Sequence, residues 1–175
     1  YVAMSGNCES IEFALSLLPE AQRLELVVLP DRSNTTVLSS VATFAKAESM
    51  HAILHSLPES QRIVAVCLQD EDENGETILH CAVRMSKIDT IRCIMDSLPG
   101  SQRLQAVSVQ DRFGRTALHC AAKSDKCVHA MLESIPESQR LQAATIRDGN
   151  GETLLHLTST ISRRSLVELA MRQTS

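Results

Sequence analysis

The sequence predicts an all-α protein, a helical solenoid with an extra short helix in each unit. Three observations carry that expectation. One phrase is written four times, as DRSNTTVLSSVA (31–42), DENGETILHCAV (72–83), DRFGRTALHCAA (111–122) and DGNGETLLHLTS (148–159). A second recurs between them, as LLPEAQRL (17–24), SLPESQRI (56–63), SLPGSQRL (97–104) and SIPESQRL (134–141), with its prolines 39, 41 and 37 residues apart. The stretch ahead of each proline carries apolar residues in steps of three and four. Such a period marks stacked units that bury their apolar faces only against one another.

Each element has a local reason. The chain opens with half a unit (1–30), where Ile11, Leu15 and Leu18 draw one helical stripe that Pro19 ends. Units follow at 31–71, 72–110 and 111–147, and a terminal unit at 148–175. Each begins at an Asp (31, 72, 111, 148), with Asn34, Gly75, Gly114 or Gly151 three residues on. That is turn chemistry, because Gly takes positive φ at no steric cost and Asn is the best substitute. Thr36, Thr77, Thr116 and Thr153 then start a short first helix as N-caps. A second helix shows in Met50, Leu54, Leu57, in Ile91, Met95, Leu98 and in Val128, Leu132, Ile135. Pro58, Pro99 and Pro136 close it and suit the first turn of a third helix over each Pro-x-x-Gln-Arg segment. Ser165–Arg172 supplies one more second helix. Tyr1 has no Thr-x-Leu-His before it and is not an initiator Met, so the chain reads as a piece of a longer protein.

Composition narrows function. The chain has 175 residues, 43% hydrophobic, 22% charged, with a net charge of −4. An acidic balance argues against a nucleic-acid footprint. The only aromatics are Tyr1, Phe13, Phe44 and Phe113, too few for a base-stacking platform. No apolar run reaches membrane-spanning length. Cys8, Cys67, Cys81, Cys93, Cys120 and Cys127 read as buried thiols in a reducing compartment, because a chain of this size needs no disulfide staples.

The phrases Thr-Ile-Leu-His-Cys-Ala (77–82) and Thr-Ala-Leu-His-Cys-Ala (116–121) resemble the ankyrin-repeat signature Thr-Pro-Leu-His-x-Ala. Thr-Leu-Leu-His (153–156) shares its start, and Ala-Met-Ser-Gly-Asn (3–7) followed by Ile11 resembles the junction between a repeat's two helices. The signature Pro is replaced by Val37, Ile78, Ala117 or Leu154, Ser39 stands for the first His, and the units exceed the usual length of about 33 residues. Long units of this kind resemble ankyrin segments in effectors of intracellular bacteria. The resemblance implies a protein-binding module, in the cytoplasm, or the host cytoplasm for an effector. The alternative is a scaffold or substrate-recruiting segment of an enzyme whose catalytic domain lies outside this chain.

Nothing in the segment reads as an active site, a cofactor site or a metal site. His80, His119 and His156 occupy equivalent places in stacked units, about 10 Å apart for packed helices, too far to share a metal bound at about 2.0–2.3 Å. The run Asp70-Glu71-Asp72-Glu73 lacks the spaced pattern of a calcium loop and reads as a solvated turn. Gln-Arg at 22–23, 61–62, 102–103 and 139–140 recurs in every unit and so reads as structural contact. Whatever every copy shares builds the stack, and whatever varies at exposed positions is free to recognise a partner. The expected partner surface is therefore Glu73, Glu76, Arg112, Phe113 and Arg115 at the turn tips, with Phe44, Arg84, Met85 and Lys123 on the concave first-helix face. Arg and aromatic residues are the types that anchor protein interfaces.

Overall fold

The computed structural model describes residues 13–158. Residues 13–16 are helical. They are followed by α1 (Glu20–Val28), α2 (Val37–Phe44), α3 (Ala47–Ser56), α4 (Glu59–Cys67), α5 (Ile78–Arg84), α6 (Ile88–Asp96), α7 (Gly100–Ser108), α8 (Ala117–Ala121), α9 (Asp125–Ser134), α10 (Glu137–Ala144) and α11 (Leu154–Leu157). The described residues hold no β-strand, only isolated antiparallel bridges at Pro30–Thr36 and Gln110–Thr116. The expected helix at Ser165–Arg172, the 3–7 junction, Ile11 and Cys8 lie outside the described residues.

The helices pack in three files. First helices stack as α2, α5, α8 and α11, second helices as α3, α6 and α9, and third helices as α1, α4, α7 and α10. The stripe residues Met50, Leu54, Leu57, Ile91, Met95, Leu98, Val128, Leu132 and Ile135 are all buried, and Ala42, Ala82 and Ala121 keep the first helices thin enough to pack closely. At about 25 cal/mol per Å² of apolar surface, burial shared between units is what holds such a stack together.

Caps and turns appear where the residue types predict them. Thr36 accepts the N–H of Ser39. Thr77, Thr116 and Thr153 each form a reciprocal capping box with the histidine three residues on. Asn34, Gly75, Gly114 and Gly151 all have positive φ, 58°, 62°, 73° and 80°. The aspartate that opens each tip accepts backbone N–H groups two residues on and three or four residues on, as in Asp111 Oδ1 to Phe113 N at 2.9 Å and Arg115 N at 2.8 Å. The prolines sit one place earlier than a first-turn position. Pro19, Pro58, Pro99 and Pro136 are themselves the N-caps, and their carbonyls accept the N–H of Gln22, Gln61, Gln102 and Gln139.

The Gln-Arg arginines make structural contacts. Arg23, Arg62, Arg103 and Arg140 each donate through Nε to the carbonyl at the end of the preceding second helix, at Leu18, Leu57, Leu98 and Ile135. Three of them also reach the next unit: Arg23 to Ser56 O at 2.9 Å, Arg62 to Ser97 O at 3.4 Å and Arg103 to Ser134 O at 2.8 Å. A guanidinium suits that place, because helix C-termini leave carbonyls unsatisfied.

The acidic run is not wholly a solvated turn. The loop between α4 and α5 is two residues longer than that between α7 and α8. The extra length divides between two aspartates the work that Asp111 does alone. Asp70 N donates to Glu76 O, as Asp111 N does to Arg115 O, while Asp72 Oδ1 organises the tip by accepting Asn74 N and Gly75 N. The carboxylate of Asp70, only 5% exposed, is thereby free to turn inward. It accepts Thr36 N–H at 3.1 Å and the Ser39 hydroxyl at 2.9 Å. That fills the space left where Ser39 stands for the signature histidine.

Two predictions follow from this packing. A Cβ at Gly114 would meet the backbone of Gly149 at 2.6 Å, one at Gly75 would meet the flexible Arg112 side chain, and one at Gly151 nothing. Gly151→Ala should therefore cost roughly 1–2 kcal/mol, the left-handed penalty alone, and Gly114→Ala distinctly more, measured by urea unfolding. Asp70→Ala strands Thr36 N–H and should cost about 1–3 kcal/mol. In a double-mutant cycle, Ser39→His should recover part of that loss.

Candidate functional site

The first-helix face is a wall of short helices whose C-terminal ends, with the neighbouring turn tips, frame a groove of about 610 Å³. Glu76, Arg84, Arg115, Cys120, Lys123, Asp148 and Glu152 are among its lining residues. Four of the expected partner-binding residues thus meet there: Glu76, Arg84, Arg115 and Lys123. Phe44 lines a separate groove of about 700 Å³ with Lys46, Lys87 and Ile88. Met85 is exposed at the end of α5, and Glu73, Arg112 and Phe113 are exposed on the tips.

Glu76 was expected at an exposed tip and is instead buried, 7% exposed. It immediately precedes the capping Thr77, and its carboxylate folds back along α5. There it accepts from Arg84 Nε at 3.2 Å and faces the Cys81 thiol at 3.8 Å. A carboxylate beside a helix N-terminus is favourable, so Glu76 forms part of the groove wall and holds Arg84 in place. Arg115 is likewise less free than a tip residue. Nε and one terminal nitrogen both contact Asp111 Oδ2 at 2.8 Å, and its guanidinium lies 4.9 Å from the centre of the Phe113 ring.

Phe113 is 55% exposed. Its N–H is held by Asp111, its carbonyl accepts Gly149 N–H, and its ring lies against Arg115. Arg112 lies over Gly75, and its backbone N–H donates to Asn74 O at 2.9 Å. Adjacent tips are therefore tied by backbone hydrogen bonds; Phe113 projects from this fixed base, while the Arg112 guanidinium donates back to Glu71 O at 3.4 Å. The sequence marked Asp148 only as a turn residue and Leu157 not at all; stacking brings both to the groove beside α8.

Among the described residues, the one group of three potential metal ligands is His80, Asp111 and Cys120, with ligand atoms within 4.8 Å of one another. These atoms are already committed. Thr77 N–H donates to His80 Nδ1 at 3.2 Å, which leaves the ring proton on Nε2 for Arg115 O at 3.0 Å. Asp111 serves the tip and Arg115. Burial pushes the Cys120 thiol up to about 11. Burial likewise raises Cys67 and Cys93 to about 11 and Cys81 to about 12, so these thiols stay protonated and are poor nucleophiles.

The family model described as ankyrin repeats (three copies) matches residues 47–140. No curated protein matches the chain.

His80 generates a pH prediction. Burial holds its pKa below 6.5, outweighing the raising effect of the Arg115 carbonyl and of Asp111 and Glu76. A base with a depressed native value contributes stability that is complete above 6.5 and is lost as pH falls through the native value. Urea midpoints should therefore drop more between pH 7 and pH 5 for the wild type than for His80→Gln.

Proposed function

This chain belongs to the ankyrin-repeat family, and from that premise we propose that it binds a protein partner through its turn tips and the groove between first helices. Ankyrin repeats are in general non-catalytic protein-interaction modules. No helix among the described residues is long and apolar enough to cross a membrane.

The observation that carries the reading is the tip at residues 111–115. Phe113 is a large exposed apolar side chain on a base of hydrogen-bonded turns, with Arg115 stacked on its ring and Arg112 beside it. An aromatic ring flanked by guanidinium groups offers apolar area and charge-assisted hydrogen bonds together. A side chain already held in place loses little rotamer freedom on binding. Arg84, Met85 and Lys123 extend the surface along the first helices, Phe44 extends it toward the neighbouring groove, and Glu73 places negative charge one unit away. A partner would match a basic patch beside an acidic one, which favours specificity. The segment needs no cofactor or metal for this, and its five described cysteines are free thiols, which fits a cytoplasmic setting.

Arg112→Ala together with Phe113→Ala should weaken partner binding by at least about 1–2 kcal/mol, the hot-spot scale, in affinity capture with the immobilised chain. The unfolding midpoint should stay nearly constant, as for surface substitutions. Unchanged capture would move the recognition surface elsewhere, and an earlier midpoint would make Phe113 a stabilising contact.

A further inference from the structure

His51 and His55 stand apart from the histidines of the repeated phrase. They sit one turn apart on α3, both exposed, with ring centroids 4.0 Å apart and planes inclined by 27°. His80 and His119 use both ring nitrogens to hold the stack. The nitrogens of His51 and His55 make no hydrogen bond among the described residues. In the register of the stripe residues, the same two positions hold Arg92 and Asp96 in α6, and His129 and Glu133 in α9. The pair therefore occurs in one unit only, and the stack is built without it.

We propose that His51 and His55 form a binding site for a divalent transition metal of the zinc or nickel class. Residues four apart on a helix face the same way, so both imidazoles can approach one ion. Zinc bound tetrahedrally at about 2.0–2.1 Å needs its two nitrogens about 3.3 Å apart; because an imidazole binds a metal in its own plane, the two exposed rings, with centroids 4.0 Å apart, turn out of their stack to converge on the ion. Neutral imidazole selects such metals, whereas calcium and magnesium take oxygen ligands. Arg62 does not occupy the site, since its guanidinium is held by the carbonyls of Leu54, Leu57 and Ser97. Glu48 lies one turn before His51 and lines the same surface depression as His51 and Cys93. Water completes the shell of the two-histidine site. This departs from the metal-free reading of the sequence, which weighed the histidines of the repeated phrase.

The test is zinc titration of the reduced chain by calorimetry, with imidazole NMR resonances as the local readout. Zinc should shift the His51 and His55 ring signals, and His51→Gln and His55→Gln should each weaken binding at least ten-fold with helical circular dichroism unchanged. His129→Gln, at the position equivalent to His51, should bind as the wild type does. Wild-type affinity in either His51→Gln or His55→Gln, or an equal loss in His129→Gln, would overturn the proposal.

Discussion

The architecture depends on hydrogen bonds that cross from one unit to the next at a fixed distance. On the first-helix side, the imidazoles of His80 and His119 close their own helix caps with Nδ1 and reach a backbone carbonyl of the following unit with Nε2, His80 to Arg115 O and His119 to Glu152 O. On the second-helix side, Arg23, Arg62 and Arg103 each close their own unit through Nε and reach the next through NH1. A unit of three short helices cannot bury its apolar face alone. These two files of bonds hold neighbours where the alanines and stripe residues can pack.

The same requirement explains the irregular unit. Ser39 is too short to do what an imidazole does. The following loop is two residues longer, and that length releases Asp70 from tip duty so that its carboxylate meets Thr36 and Ser39 instead. Burial raises the Asp70 pKa against the opposing effect of these hydrogen bonds. The compensation therefore carries a desolvation cost, which the imidazole version avoids by being neutral. These two departures from the repeated phrase are thus coupled: the histidine lost at Ser39 goes with the two extra residues in the loop that carries Asp70.

Side chains available for recognition are those the stack does not consume. Arg23, Arg62, Arg103 and Arg140 are consumed in capping carbonyls, Glu76 in holding Arg84, and Asp111 in organising its tip and fixing Arg115. Phe113 remains, on a base fixed by backbone bonds from tip to tip, with the exposed Arg112 beside it, its guanidinium held by Glu71 O at 3.4 Å. His51 and His55 remain on the opposite file of helices.

The sequence by itself determined the unit, its three helices, the Thr caps, the positive-φ turns and the buried stripes. Each is encoded within a few residues, by the steric freedom of Gly, the hydroxyl of Thr, the fixed φ of Pro and the helical period of apolar positions. It also identified the Gln-Arg arginines as structural, because a residue written in every copy serves what every copy shares. Only the tertiary structure decided where side chains at the margins of the motif turn. Asp70 and Glu76 look like surface acids in sequence, and their burial depends on loop length and on partners at Ser39 and Arg84. The groove joining Arg84, Arg115 and Lys123 to Asp148 likewise exists only once successive units lie side by side. Contacts between residues 30–40 positions apart are set by stacking distance, and no local pattern of residues records that distance.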